Sequence, residues 1–135
     1  MAKTFDFEVI TPDRVVLSEK VASVVVPGVL GSLGVLANHA PIMTELSMGQ
    51  LDFEREDETR DMMAVSGGFM EVLHNKVTAL ADTAELRDEI DLDRAEKARC
   101  RAEQRLSEVG EDIDISRAKA AMLRAINRIK VAARA

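Results

Sequence analysis

The sequence predicts an α+β protein, in which a small antiparallel β-sandwich or barrel precedes an antiparallel two-helix hairpin. Two observations lead to this prediction. Apolar residues recur with period two over roughly the first 84 residues, and with alternating spacings of three and four beyond residue 88. We therefore expect a β domain at residues 1–86 and a helical hairpin at residues 87–135.

Short alternating or β-branched segments mark the expected strands. Phe5, Phe7 and Val9 alternate with acidic residues, which is the pattern of a strand with one buried face. Turn residues separate the segments: we expect a hairpin tip at residues 56–58 and tight turns at residues 66–68 and 74–76. The other expected strands cover residues 21–27, 51–54, 60–66, 69–73 and 77–81.

The C-terminal part is rich in strong helix formers, and its seams contain much alanine. Gly110 is a candidate helix stop, and Asp112 or Asp114 a candidate cap for the second helix. An alanine seam buries little apolar area, so we expect a marginally stable hairpin whose helices can separate. The seam residues are Leu92, Ala95, Arg99, Ala102, Leu106 and Val109 in the first helix, and Ile115, Ala118, Met122, Ala125, Ile129 and Ala132 in the second.

The charge is unevenly distributed along the chain. The formal net charge of −6 argues against general nucleic-acid binding, which draws its affinity from a basic surface. Residues 1–84 carry six basic side chains against thirteen acidic ones. Residues 115–135 carry six basic side chains and no acidic one, so this segment favours an acidic or phosphate-bearing partner.

The chain contains no arrangement typical of a catalytic or metal site. His39 and His74 are the only histidines, and no further ligands stand at metal-binding spacing. Ser66 lacks the surroundings of a nucleophile elbow. We expect neither an autonomous enzyme nor a metal centre. The single cysteine excludes an internal disulfide, and no stretch is long and apolar enough to predict direct membrane insertion.

A glycine-rich stretch occupies residues 27–41. It lacks the Lys-Ser/Thr ending of a phosphate-binding P-loop. The alternatives are a long turn in which glycines supply positive φ, and a partner-docking loop that exposes Val35 and Leu36.

Arginines recur at helical spacing in both expected helices. Arg87, Arg94, Arg101 and Arg105 share one face if the first helix extends that far back, and Arg117, Arg124 and Arg128 share another. From spacing alone, two interpretations stand: solvated rows paired with nearby acids, or a polyphosphate site between the two rows.

Ordered motifs along the whole chain resemble the epsilon subunit family of F-type ATP synthases. In the β part the matching segments are residues 10–14 (Ile-Thr-Pro-Asp-Arg), 26–28, 34–36, 39–41 and 64–69 (Ala-Val-Ser-Gly-Gly-Phe). In the helical part they are residues 90–95 (Ile-Asp-Leu-Asp-Arg-Ala) and 125–129. No single segment is specific to this family, but the presence of all of them in the same order is.

The resemblance implies a β-sandwich of about ten strands and a peripheral position at the cytoplasmic face of the bacterial membrane. The implied partners are the gamma subunit and the c-subunit ring, and the alpha/beta catalytic head when the C-terminal helices extend. The implied role is non-catalytic: coupling catalysis to rotation of the ring and inhibiting ATP hydrolysis. The alternative is a purely structural rotor adaptor without switching.

The resemblance also implies candidate site residues. No cofactor is required, but ATP is a regulatory ligand in some bacterial members. The residues that match their ATP motif are Glu85, Ile90, Asp91, Arg94, Ala95, Arg101, Arg124 and Arg128. Those that match the surface facing the c ring and gamma are Gly31, Ser32, Leu33, Val35, Leu36 and His39. Ser32 stands where many members carry an acid.

Overall fold

Two units make up the chain, residues 1–87 and residues 88–135. The computed structural model describes residues 3–108 and 114–134. In the described residues the first unit is built from eight strands and the second from two α-helices, so the predicted α+β class is confirmed. The strands are β1 Phe5–Ile10, β2 Val15–Val21, β3 Ser23–Gly28, β4 Gly31–Leu36, β5 Ile42–Leu46, β6 Gly49–Glu54, β7 Arg60–Leu73 and β8 Lys76–Leu86.

The strands form a sandwich of two layers that share their longest members. One layer runs in the order β2, β1, β8, β7 and β5, and the other contains β4, β3 and β6 with the remaining parts of β7 and β8. Adjacent strands are antiparallel, except that β1 and β8 run parallel. The parallel pair is possible because six other strands, β2 to β7, lie between these two along the chain.

Strand β7 passes from one layer to the other at two glycines. Residues 60–65 pair with β6, and residues 68–72 pair with β5. Gly67 and Gly68, with φ of 69° and 114°, allow the bend. The tight turn predicted at residues 66–68 is therefore wrong, since these residues continue β7. Because β7 and β8 each serve both layers, the structure has eight strands where about ten were expected.

The core between the layers is mostly aliphatic and also contains Phe5, Phe7 and Phe53. Its largest fully buried side chains include Phe7, Leu51, Met63 and Met70. The Phe7 and Phe53 rings meet with centroids 5.9 Å apart and planes tilted by 55°, an arrangement favoured by the ring quadrupoles. Each such side chain contributes about 1.5–3 kcal/mol on burial, so the sandwich is stabilised mainly by this one cluster.

Both other predicted turns of the β unit are confirmed. Residues 56–58 form the β6–β7 tip, where hydrogen bonds from the Thr59 hydroxyl and N–H lower the pKa of Asp57. Between β7 and β8, His74 and Asn75 both have positive φ, as a tight hairpin turn requires. The Asn75 side chain accepts from the Asn38 N–H (2.7 Å) and donates to the Thr4 carbonyl (3.1 Å), so one amide joins three segments.

The helical unit contains α1, Leu92–Ser107, and α2, Ile115–Ala133. Asp91 and Asp114 cap them, each accepting from a backbone N–H three residues on, so the cap predicted at Asp114 is confirmed. Arg87 lies in a separate 3₁₀ turn, Arg87–Glu89, so the first helix does not extend back far enough for Arg87 to share the face of Arg94. The candidate stop Gly110, the candidate cap Asp112 and the seam position Val109 lie outside the described residues.

The buried residues of the two helices are four alanines and Val131. Ala95 and Ala102 of α1 and Ala118 and Ala125 of α2 are buried, as the seam predicts. Leu92 and Ile115 were also expected in the seam, but they are 45% and 66% exposed, so these two assignments are wrong. Small side chains bring the helix backbones close together but remove little apolar surface from water.

Candidate functional site

The expected docking loop at residues 31–39 is mostly a strand. Residues 31–36 form β4 in register with β3. Alternation along a strand directs side chains to opposite faces, so Val35 points into the core and is only 1% exposed. The prediction of an exposed Val35 is therefore wrong. Leu33 also packs partly against the core, whereas Leu36 is 67% exposed.

The remaining predicted docking residues are spread along β4. Gly31 and Ser32 are exposed beside the β3–β4 turn, and Leu36 is at the other end of the strand. With about 3.3 Å per residue, Ser32 and Leu36 are separated by roughly 13 Å. His39 follows the next turn, where its Nδ1 lies 2.6 Å from the Ala40 carbonyl oxygen. The predicted set is thus a strip rather than one compact patch.

The β3–β4 turn presents two apolar residues that the predicted set did not include. Leu30 is 99% exposed, and Val29 next to it is about half exposed. The Val29 N–H donates to the Glu45 carbonyl (3.0 Å), which ties the turn to β5. Gly31, with φ of +124°, lets the chain turn sharply. An apolar pair in a two-residue turn, where Asn-Gly is usual, is the signal that could have identified this tip.

A second exposed apolar surface crosses four strands of one layer. Phe69 of β7 is paired with Leu80 of β8, Leu80 with Ile10 of β1, and Ile10 with Val15 of β2. Phe69, Leu80 and Val15 are each 55% exposed. We call these four residues the outer row. At about 4.8 Å between strands, the row is roughly 14 Å long, and it is made of residues far apart in the sequence.

Acidic side chains surround the outer row. Glu45 is the cross-strand neighbour of Phe69 on β5, and Glu71 and Glu8 occur two positions along their strands from Phe69 and Ile10. Lys76 compensates one of them, with its Nζ 3.4 Å from the Glu8 carboxylate. Beyond Glu71, an open groove of about 280 Å³ is lined by Pro41, Ile42, Met43, Glu71, Val72 and Leu73. The surface is therefore apolar with an acidic border.

Most residues of the expected nucleotide site lie on the two helices. The Asp91 carboxylate accepts from the Arg94 N–H at 3.0 Å, so one of its oxygens caps α1. Ala95 is buried, and its N–H donates to the Asp91 carbonyl (3.0 Å). Arg94 and Arg101 are exposed and, being seven residues apart, share one face of α1.

The other expected nucleotide-site residues are distributed over α2, the linker and the β unit. Arg124 and Arg128 are half-buried and, four residues apart, share a face of α2. Ile90 lies between the 3₁₀ turn and α1, and is half-exposed. Glu85 belongs to β8, in the first unit. The expected nucleotide site stays a prediction.

Within residues 3–108 and 114–134, no three His, Cys, Asp or Glu side chains come close enough together to hold a metal ion. The described helices include none with the length and apolarity of a membrane span.

Both units match known protein families. The family described as "ATP synthase, Delta/Epsilon chain, beta-sandwich domain" matches residues 4–87. The family described as "ATP synthase, Delta/Epsilon chain, long alpha-helix domain" matches residues 88–133. Between them the two matches cover nearly the whole chain.

Named relatives agree with these matches. The ATP synthase epsilon chain of Desulforamulus reducens is 49% identical over 132 residues, which is 98% of this chain and 99% of the relative. That of Pelotomaculum thermopropionicum is 52% identical over 106 residues, 78% of each chain.

Two solved structures have a similar fold. A chain of the Euglena gracilis mitochondrial ATP synthase, in a structure of OSCP, F1 and the c-ring, has a TM-score of 0.77 and 26% identity, covering 92% of this chain and 78% of that one. A chain of the Tetrahymena thermophila central stalk and c-ring has a TM-score of 0.57 at 15% identity, covering 96% and 94%, and supports the fold alone. With both of its domains matched and its relatives about half identical over most of its length, the chain belongs to the ATP synthase epsilon chain family.

Proposed function

We propose that this protein is a non-catalytic subunit of the central stalk of an F-type ATP synthase, and that it couples the catalytic head to rotation of the c ring. The observation that carries the proposal is that the β unit exposes apolar side chains at more than one place, among them the tip at Val29 and Leu30 and the outer row. A subunit that joins two other components needs two such surfaces. The similar Euglena chain comes from a structure that includes F1 and a c-ring.

Within this proposal the tip contacts the c ring and the outer row contacts gamma. The tip is narrow and ends in a fully exposed leucine, which suits insertion between the loops of a ring. Ser32 beside it supplies no negative charge, so this contact relies on Leu30 rather than on an ion pair. The outer row is broader and has an acidic border, which suits a larger protein surface with basic residues.

The helical unit supplies inhibition of ATP hydrolysis. Helix α2 carries basic side chains and no Asp or Glu, so after separating from α1 it would complement acidic surfaces of the alpha/beta head. The alanine seam makes this separation inexpensive. The assembled complex would sit at the cytoplasmic face of the bacterial membrane, with this chain as a peripheral component.

Deleting residues 88–135 is expected to raise ATP hydrolysis by the assembled enzyme several-fold. The β unit keeps both apolar surfaces after the deletion, so assembly should be retained. The measurement is the steady-state hydrolysis rate of purified enzyme with full-length or truncated subunit, normalised to the amount of subunit that co-purifies. Equal rates at equal occupancy would favour the alternative, a purely structural rotor adaptor.

ATP binding to the helical unit is a second candidate function. The observation that favours it is the combination of Asp91, whose carboxylate has an oxygen that does not cap the helix, with half-buried Arg124 and Arg128. Such arginines suit phosphate oxygens, and the carboxylate suits the adenine amino group.

Calorimetric titration of the isolated protein with ATP is expected to reach saturation at or below millimolar concentrations. Arg94→Ala should weaken binding by roughly 10- to 100-fold, because it removes a charged hydrogen bond worth about 1.5–3 kcal/mol. Lys97→Ala is the matched control, because Lys97 is an exposed cation three residues further along α1. An absence of saturable heat, or equal weakening by both variants, would exclude a specific site.

A further inference from the structure

A charged side chain lies within the alanine seam between the two helices. Arg99 comes four residues after Ala95 and three before Ala102, both buried, so it shares their face of α1. Its Nε atom is withdrawn from solvent and has no hydrogen-bond partner among the described residues. A guanidinium group normally satisfies its N–H donors with water or with acceptors.

The carboxylates near Arg99 pair with only some of its N–H donors. One terminal nitrogen of Arg99 is 2.9 Å from the Glu96 carboxylate. The Nε atom is 3.8 Å from the nearest Glu103 oxygen, which is too long for a hydrogen bond. Both acids belong to α1, so they accompany Arg99 whether or not α2 is packed against it.

Helix α2 brings no compensating acid to the seam. Between Ile115 and Ala133 it has no Asp or Glu, and it carries five Lys or Arg side chains. The Arg99 side chain is 38% exposed and has ion pairs with Glu96 and Glu103 of its own helix, so only its Nε atom is both buried and without a hydrogen bond. Closing the hairpin therefore brings this atom towards a helix that offers it no acceptor carboxylate. A buried donor without a partner costs free energy of the same order as the burial of a few methyl groups contributes. The fully buried side chains of the helical unit are four alanines and Val131, which supply only a few such groups.

We propose that Arg99 keeps the hairpin only marginally closed. Packing of α1 against α2 leaves its Nε unsatisfied, and separation of the helices returns it to water. Arg99 is then a positioning residue that sets the balance between closed and open hairpin. The effect of Arg99 on regulation rests on the proposed function. The free energy that Arg99 adds to closing the hairpin is a property of the isolated chain.

Hydrogen exchange of the full-length protein tests the proposal. Methionine matches arginine in helix propensity and is unbranched, so Arg99→Met keeps the seam filled without the charge. We expect amide exchange over residues 92–107 and 115–133 to slow about tenfold. Lys97→Met, which removes the same charge from an exposed position of α1, should leave exchange within about twofold of wild type.

Arg99→Lys tests whether the charge is responsible, because this variant keeps a cation in the seam. We expect no slowing of exchange in this variant. Unchanged or faster amide exchange in Arg99→Met would overturn the proposal. The proposal would also be overturned if circular dichroism showed that this variant had lost helix, since removing the charge should stabilise the hairpin. Equal slowing in Lys97→Met would overturn it too, since the effect would then be one of net charge.

In the assembled enzyme, Arg99→Met should raise ATP hydrolysis towards the level of the 88–135 deletion, because a closed hairpin cannot reach the head. If the deletion raises hydrolysis and Arg99→Met does not, the regulatory inference fails and the proposed function stands. If the deletion has no effect, inhibition fails, and the exchange rates still decide whether Arg99 opposes closure.

Discussion

Replacing Gly68 by alanine is expected to destabilise the β unit by about 3 kcal/mol or more. Gly68 has φ of +114°, where a residue with a side chain is strained by about 1–3 kcal/mol. A methyl group there would also collide with the Leu80 carbonyl oxygen and lie 2.8 Å from the Ala81 Cα. Both are backbone atoms of β8 and cannot rotate away, so the crossing of β7 between layers would have to distort.

Urea unfolding followed by far-ultraviolet circular dichroism measures this loss, because the chain has no Trp or Tyr for fluorescence. Gly34→Ala is the matched control. A methyl group at Gly34 would meet nothing within 4 Å, and its φ is not in the left-handed region. The urea midpoint of Gly34→Ala should therefore stay close to that of wild type. Equal midpoints for the two variants would contradict the role given to Gly68.

Replacing Phe69 by lysine is expected to weaken binding to the gamma-containing core of the enzyme by about 30- to 100-fold. Aromatic residues buried in an interface commonly account for 2 kcal/mol or more, and Phe69 is the one aromatic residue of the outer row. Stability should change little, because the side chain is more than half exposed and a lysine there faces Glu45 across the strand pair.

Val25→Lys is the control for this substitution. Val25 is an exposed apolar residue on β3, outside the outer row, and its cross-strand neighbour Asp52 offers a similar acid. Binding of both variants to purified core lacking this subunit can be compared by titration, after circular dichroism has established equal folding. If Phe69→Lys binds like Val25→Lys, the outer row is not the surface that contacts gamma.

The outer row illustrates what could not be predicted from the sequence. Phe69, Leu80, Ile10 and Val15 become neighbours only through the registers of three strand pairs. Each register depends on which faces are buried along the whole sheet. The pattern within a single short segment therefore does not predict the register. The tip at Leu30 is different, since an apolar pair between two glycines is visible in the sequence itself.

The burial of Val35 and the crossing of β7 between layers both depend on strand pairing. Glycines at positions 31 and 34 suggested a loop, but pairing with β3 makes this segment a strand and turns Val35 into the core. In β7 the buried set changes from Met63 and Val65 to Met70 and Val72, from odd to even positions, as the strand enters the other layer. A single alternating pattern cannot predict such a change.

The sequence by itself determined the features that depend on neighbours a few residues away: the change from period two to helical spacing, the cap at Asp114, the turn at Asn75 and the alanine seam. These follow from local hydrogen bonding and side-chain spacing. Only the tertiary structure decided that β7 spans both layers, that the four residues of the outer row lie side by side, and that the Nε atom of Arg99 has no hydrogen-bond partner among the described residues. The physical reason is that burial and hydrogen-bond satisfaction depend on contacts between segments far apart in the chain.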